Sequence, residues 1–139
     1  MGRVFAIDYG KKRVGFAVTD PLKIIASPLE TVLEHQALNY IKNYVESKDV
    51  ETLVIGYPLK ENGEPTDATP LVEVFIRRLE KAFPAIPLVK EDESYTSKRA
   101  MEVMIASGIK KKERRIKSNM DKISASLILQ SYLDSITSE

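Results

Sequence analysis

The sequence predicts an α/β fold: a five-stranded mixed sheet with helices on both faces. Three observations predict it. Two apolar runs of strand length near the N-terminus are joined by a short polar turn, a later uninterrupted apolar run suits a strand covered on both sides, and helical periodicity separates and follows the remaining strands. At 139 residues the chain fits one domain, residues 1–139, large enough to bury roughly two thirds of the surface its unfolded form exposes.

Val4–Tyr9 and Val14–Thr19 are the first two strands, and Gly10-Lys11-Lys12-Arg13 between them reads as a hairpin turn with Gly10 supplying a positive φ. A third strand covers Ile24–Val32, where Pro28 indicates an edge position or a bulge because proline donates nothing to a ladder. Leu38, Ile41 and Val45 recur at helical spacing over about His35–Ser47, and Thr52–Gly56 forms the covered strand. Tyr57–Thr69 is broken by Pro58, Asn62-Gly63 and Pro65 and is a loop of functional length. Thr69 then caps a helix with Pro70 at its first position and Leu71, Val74, Phe75 and Leu79 on its buried face. Ile86–Lys90 is the last strand. Two helices close the chain, about Thr96–Ser107, stopped by Gly108, and about Asn119–Ile136. There is no internal repeat or linker, and the element order matches the ribonuclease H-like architecture.

Composition narrows the chemistry. The chain has no Cys and one His, His35, so disulfides, thiolate metal sites and an imidazole zinc cluster are excluded; any metal needs oxygen ligands. No run approaches a membrane-spanning length and the N-terminus has no apolar leader, which predicts a soluble cytoplasmic protein without a membrane partner. With 21 basic and 20 acidic residues the net charge is +1, so a polyanionic partner has to be argued from local clusters.

Three acids sit in awkward places. Val4, Ala6 and Asp8 share one face of the first strand and Phe5, Ile7 and Tyr9 the other, so Asp8 ends a strand that is apolar on both sides. An unpaired carboxylate there costs several kcal/mol or raises its own pKa, so Asp8 needs a partner. The alternative is a structural Asp bonded to backbone N–H groups of the Gly10 turn. Asp121 leads the apolar stripe Ala125, Ile128, Leu129, Tyr132, Leu133 and Ile136 of the last helix, although an acid in a first turn also complements the helix dipole in any protein. Asp92 and Glu93 follow the last strand directly, at the strand ends where sites of open sheets form, or else belong to an ordinary polar loop before the Thr96 cap. If Asp8, Glu93 and Asp121 converge, like charges about 4 Å apart repel by roughly 4 kcal/mol at an effective dielectric of 20, and the cluster calls for a cation. Hard oxygen ligands with room for water suit Mg²⁺ or Mn²⁺, and such ions support in-line displacement at phosphorus without a cysteine, histidine or serine nucleophile.

Four blocks, "AIDYGKKRVGFAVTD", "LVIGYPLKENGEPT", "EDESYTSKRA" and "MDKISASLILQSYLD", resemble in order and spacing the signature blocks of the YqgF/RuvX family of bacterial ribonuclease H-like nucleases, described as pre-16S rRNA nucleases or Holliday junction resolvases. The resemblance runs from residue 6 to residue 134. It places the family's three acids on Asp8, Glu93 and Asp121, as catalytic and metal-ligating residues. Where the family usually has Arg after Asp-Glu this chain has Ser94, which weakens any role inferred for that cation, and Ser124 replaces the first of a usual Ala-Ala pair. The resemblance implies hydrolytic trimming of a ribosomal RNA precursor at its 5′ end, leaving 5′-phosphate and 3′-hydroxyl ends, with resolution of four-way DNA junctions as the second reading. A resolvase makes two symmetric cuts and acts as a two-fold dimer; the sequence is compatible with a monomer or a homodimer.

The basic residues suit a nucleic-acid partner. The run 110–117 holds Lys110, Lys111, Lys112, Arg114, Arg115 and Lys117 with one acid, Glu113, and such a run neutralises phosphates, although it also reads as a solvated surface. Lys11, Lys12 and Arg13 follow Asp8 closely, and Tyr57 and Tyr95 suit base stacking near the same rim, or simple packing. Two other classes compete. "IDYGKKRVG" also looks like the first phosphate loop of actin-like ATPases and sugar kinases, but those need a second lobe and a second such loop. A non-catalytic RNA-binding subunit with vestigial acids is separated from an enzyme by metal-dependent cleavage.

Overall fold

The computed structural model describes residues 2–60, 62–92 and 117–137, without the side chains of 117–122 and 137. Five strands, β1 (Arg3–Tyr9), β2 (Arg13–Thr19), β3 (Ala26–Leu33), β4 (Val50–Tyr57) and β5 (Leu88–Asp92), form one sheet in the order β3-β2-β1-β4-β5. The hairpin neighbours β1/β2 and β2/β3 are antiparallel; β1/β4 and β4/β5 are parallel and are reached through α1 (Ala37–Ser47) and α2 (Thr69–Ala82). The third described helix, α3 (Lys117–Thr137), packs on the sheet opposite α1 and α2. This is the mixed, two-sided α/β arrangement expected from the sequence.

Strand alternation divides the core in two. Phe5, Ile7, Phe16, Leu53 and Ile55 pack with Ile41 of α1 and Phe75 and Leu79 of α2. Val4, Ala6, Ala17 and Val54 pack with Ala125, Ile128 and Leu129 of α3. Among the described residues, the small side chains on the second face let α3 approach closely, while the aromatic residues of the first fill the space under α1 and α2.

Several expectations change in the structure. Gly10 does not take a positive φ; among the described residues that glycine is Gly63 (φ 85°). Gly10 is required by close approach instead, since a Cβ there lies 2.5 Å from the Arg13 carbonyl oxygen. Strand β3 sits at the sheet edge with a register shift next to Pro28, as its proline required, but Ile24 and Ile25 lie outside it. Their N–H groups are taken by the Asp20 carboxylate at 2.9 and 2.8 Å, which uses them in a turn instead of a ladder. Helix α1 starts at Ala37 because a 3-10 turn, Glu34–Gln36, precedes it. Strand β5 begins two residues later than the apolar run, because the Ile86 N–H donates to the Phe83 carbonyl and Pro87 has none to give.

On α2 the buried stripe is Val72, Phe75, Ile76 and Leu79, while Leu71 and Val74 are 41% and 51% exposed. Residues 71–76 are apolar at all but one position, so helical spacing admits two stripes, and packing selects the one that reaches the sheet. Thr69 does not cap α2; the cap position is Ala68, and the Thr69 hydroxyl turns back into the preceding loop. The expected helix over Thr96–Ser107 lies outside the described residues.

The floor of the sheet holds one buried polar contact. Thr19 is fully buried and its Oγ1 accepts the Val4 N–H at 2.9 Å, one residue beyond Phe5–Val18, the last pair of the β1/β2 ladder. Thr19→Val keeps the shape and strands the donor, so we predict a loss of about 1–3 kcal/mol in unfolding free energy by urea titration. Thr19→Ser is expected to lose less. Equal stability of wild type and Thr19→Val would show that the contact contributes nothing.

Candidate functional site

Because β1, β4 and β5 are parallel, their carboxyl ends reach one edge of the sheet, joined there by the start of β2. Asp8 stands at this edge, opposite Gly15 of β2 and one residue beyond the Ile7–Ile55 pair with β4, which brings it alongside Gly56. Gly56 in turn pairs with Glu91 of β5. Asp8 follows Val4 and Ala6, and Glu91 follows Val89, on the face covered by α3. The two carboxylates thus occupy one row of one face, with a residue lacking a side chain between them, and two strand spacings put their Cα atoms about 10 Å apart. Asp8 and Glu91 are both partly buried, and Glu91 Oε1 accepts the Ser131 hydroxyl of α3 at 2.8 Å.

Glu91 is an acid in the same row as Asp8 that the sequence reading did not single out. Its signal was the alternation Val89, Glu91 counted from the buried face, which the neighbouring Asp92-Glu93 pair obscured. Asp92 pairs with Tyr57 at the end of β5 and belongs to the opposite face. Glu93 and Tyr95 lie outside the described residues, as do Lys110, Lys111, Lys112, Arg114 and Arg115. Asp121 and Lys117 fall within the first turns of α3, Asp121 one turn before the buried Ala125, with their side chains outside the description.

The rim around Asp8 is fixed by backbone contacts. Lys11 and Lys12 are exposed on the β1–β2 turn, and the Lys12 carbonyl accepts the Glu34 N–H at 2.9 Å, which holds the turn against the end of β3. Arg13 opens β2 on the same face as Gly15 and Ala17, a diagonal neighbour of Asp8. Tyr57 is at the same edge but on the opposite face, packed against the α1/α2 core. Its hydroxyl donates to Glu73 Oε1 at 2.5 Å, the Lys90 ammonium donates to the same oxygen at 3.2 Å, and that ammonium lies 4.9 Å from the Tyr57 ring centre. The tyrosine hydroxyl, and then Lys90, hold the Glu73 carboxyl below the ordinary carboxylate range, while the bond to Glu73 raises the Tyr57 phenol.

Among the described residues no three metal-ligating side chains form a group that holds an ion. Asp8 and Glu91 offer carboxylate oxygens, the donor type that hard cations take, and Gly56 leaves the row between them free of a side chain. No described helix is long and apolar enough to cross a membrane.

The family profile described as "RuvX: Holliday junction resolvase" matches residues 2–135. A protein of Amoebophilus asiaticus is 48% identical over 97% of this chain and 96% of its own length. One of Porphyromonas gingivalis is 46% identical over 96% and 97%, and both carry the name "Putative pre-16S rRNA nuclease". Among solved structures the chain is similar to the Fowlpox virus resolvase in complex with Holliday junction DNA, with a TM-score of 0.58 and 12% identity over 96% of this chain and 98% of that one. It is also similar to T. thermophilus RuvC in complex with a Holliday junction substrate, with a TM-score of 0.55 and 15% identity over 99% and 98%. At such identities the structural likeness establishes the fold, which is the ribonuclease H-like one expected from the sequence.

The Tyr57–Glu73–Lys90 contact predicts a pH signature. A depressed Glu73 pKa favours the folded state above the ordinary carboxylate value, a contribution lost as pH falls through the folded value; a raised Tyr57 pKa favours it below about 10, lost as pH rises through the folded value. In Glu73→Gln, Tyr57 should ionise at lower pH than in wild type, read by ultraviolet difference titration against Tyr57→Phe. An unshifted Tyr57 curve would contradict the contact.

Proposed function

Because the chain belongs to the RuvX family, we propose that it is a divalent-metal-dependent nuclease that matures the 5′ end of pre-16S rRNA, with Asp8, Glu93 and Asp121 as its catalytic carboxylates. The observation that carries this reading is Asp8 itself: a carboxylate at the carboxyl end of the central strand, beside a glycine and in one row with Glu91. A strand covered on both faces accepts a charge only towards its end, and there Asp8 is held on a rigid element beside a glycine, which suits ligation.

Mg²⁺ or Mn²⁺, when bound, neutralises phosphate charge and activates water for in-line attack. The chain's own residues supply the remainder. Asp8 offers ligand oxygens from a rigid strand, and Ser131 orients the Glu91 carboxylate in the same row. Lys11, Lys12 and the 110–117 run bind the phosphates flanking the scissile bond. Holliday junction resolution is the second reading, supported by the family's description and by the resolvases that share the fold; it requires a two-fold dimer.

Purified wild type and Asp8→Asn, incubated with Mg²⁺ or Mn²⁺, should be compared on a 5′-extended 16S precursor and on four-way DNA. Wild type is expected to cut the RNA, leaving 5′-phosphate, and Asp8→Asn to lose activity by two or more orders of magnitude, on the scale of losing one strong transition-state contact. Equal cutting by the two proteins would remove Asp8 from the mechanism, and 2′,3′-cyclic phosphate ends would show that the RNA supplied the nucleophile. Chelation by EDTA should abolish cleavage and excess Mg²⁺ restore it; activity that persists in EDTA would refute the metal.

A further inference from the structure

The loop that leaves the Asp8 edge after β4 is built as a hairpin. Leu59 and Pro65 form an antiparallel bridge, the Lys60 N–H donates to the Glu64 carbonyl at 2.8 Å, and the Gly63 N–H donates to the Lys60 carbonyl at 2.8 Å. Asn62 Oδ1 accepts the Glu64 N–H at 3.0 Å, and Gly63 takes the left-handed φ of 85° that closes the tip. At its base stands Thr69, only 5% exposed. Its hydroxyl donates to the Pro58 carbonyl at 2.6 Å, on the outgoing leg, and accepts the Thr66 N–H at 2.8 Å, on the returning leg. One buried side chain therefore joins both legs, where water competes poorly for either bond. Directly before Pro58, the bond from Tyr57 to Glu73 fixes the outgoing leg to α2.

We propose that Thr69 is a positioning residue, clasping the two legs of this loop, 58–60 and 62–66, into a fixed wall beside Asp8 against which the nucleic-acid strand is aligned. The proposal rests on the nuclease reading of the same site. A loop ordered in advance spares the substrate the cost of ordering it, so the clasp acts on binding and orientation. Pro58 is two residues past Gly56, the neighbour of Asp8, so the wall borders the row of carboxylates and not a distant surface.

Amide hydrogen exchange and steady-state cleavage of the 5′-extended 16S precursor, on the full chain, test this together. In Thr69→Val the amides of Lys60, Gly63, Glu64 and Thr66 should exchange about tenfold faster or more, with core amides such as that of Val54 unchanged, as for a local opening. KM should rise roughly five- to tenfold while kcat stays within about twofold, the signature of lost binding without lost chemistry. Thr69→Ser should restore both. Faster hairpin exchange with an unchanged KM overturns the substrate role, and unchanged exchange overturns the clasp. If Thr69→Val raises exchange throughout the chain, Gly63→Ala decides: a Cβ there meets nothing within 4 Å, so it strains the tip alone, and it must raise both hairpin exchange and KM. Wild type that cuts no nucleic acid overturns the nuclease reading and the substrate role with it, while the exchange arm still decides the clasp.

Discussion

The structure depends on the double coverage of β1 and β4. Phe5, Ile7, Leu53 and Ile55 are sealed on one side by α1 and α2, and Val4, Ala6 and Val54 on the other by α3. Nothing polar is tolerated within that span without a partner, so polar side chains are pushed to the two ends of the strands. At the amino end of β1 the solution is internal, with the Thr19 hydroxyl taking the Val4 N–H. At the carboxyl end it is Asp8, partly buried opposite Gly15 of β2. The same constraint that builds the core therefore decides where a carboxylate can be rigid and still reachable.

Parallel pairing extends this from one residue to an edge. The ends of β1, β4 and β5 arrive together, so residues far apart in the chain, Asp8, Gly56 and Glu91, become neighbours in a single row. Strand alternation then separates two kinds of chemistry. The α3 face carries the acids Asp8 and Glu91 with Ser131, whereas the α2 face carries the Tyr57–Glu73–Lys90 contact. The second group is structural in character. It satisfies its own charge, stacks a cation on an aromatic ring, and anchors the loop that borders the first group.

Much of this was legible in the sequence, and the misses share a cause. Asp8 stood out because a strand apolar on both faces makes a charge conspicuous, and Pro28 signalled an edge position or a bulge, both of which β3 has. Where local pattern was degenerate, tertiary contact decided. Residues 71–76 offered two apolar stripes on α2; Ile24 and Ile25 looked like strand until Asp20 took their N–H groups; Thr69 looked like a cap until its hydroxyl was found joining Pro58 to Thr66. Glu91 went unseen because its meaning lies in its row partners on β1 and β4, and pairing register is not written in any single segment. Gly10 was rightly singled out but for the wrong reason, since steric crowding by the Arg13 carbonyl and backbone handedness leave the same letter in the sequence.

The row of acids also shows why a cation belongs to the proposed reading. At the roughly 10 Å that separates the Cα atoms of Asp8 and Glu91, two unit charges repel by roughly 1.7 kcal/mol at an effective dielectric of 20, less where water reaches them. The Ser131 hydroxyl offsets part of this at Glu91, and a fold can carry such a pair without help. Each further acid brought to the same edge adds repulsion with every carboxylate already there, so the cost grows faster than the number of charges. On the reading that Glu93 and Asp121 join Asp8, the protein without its ion holds an arrangement that folding alone opposes, and the ion restores that energy on binding. Stability and ligation are then one measurement: the ion that supports cleavage must also raise the resistance of wild type to unfolding, and must do so less in Asp8→Asn.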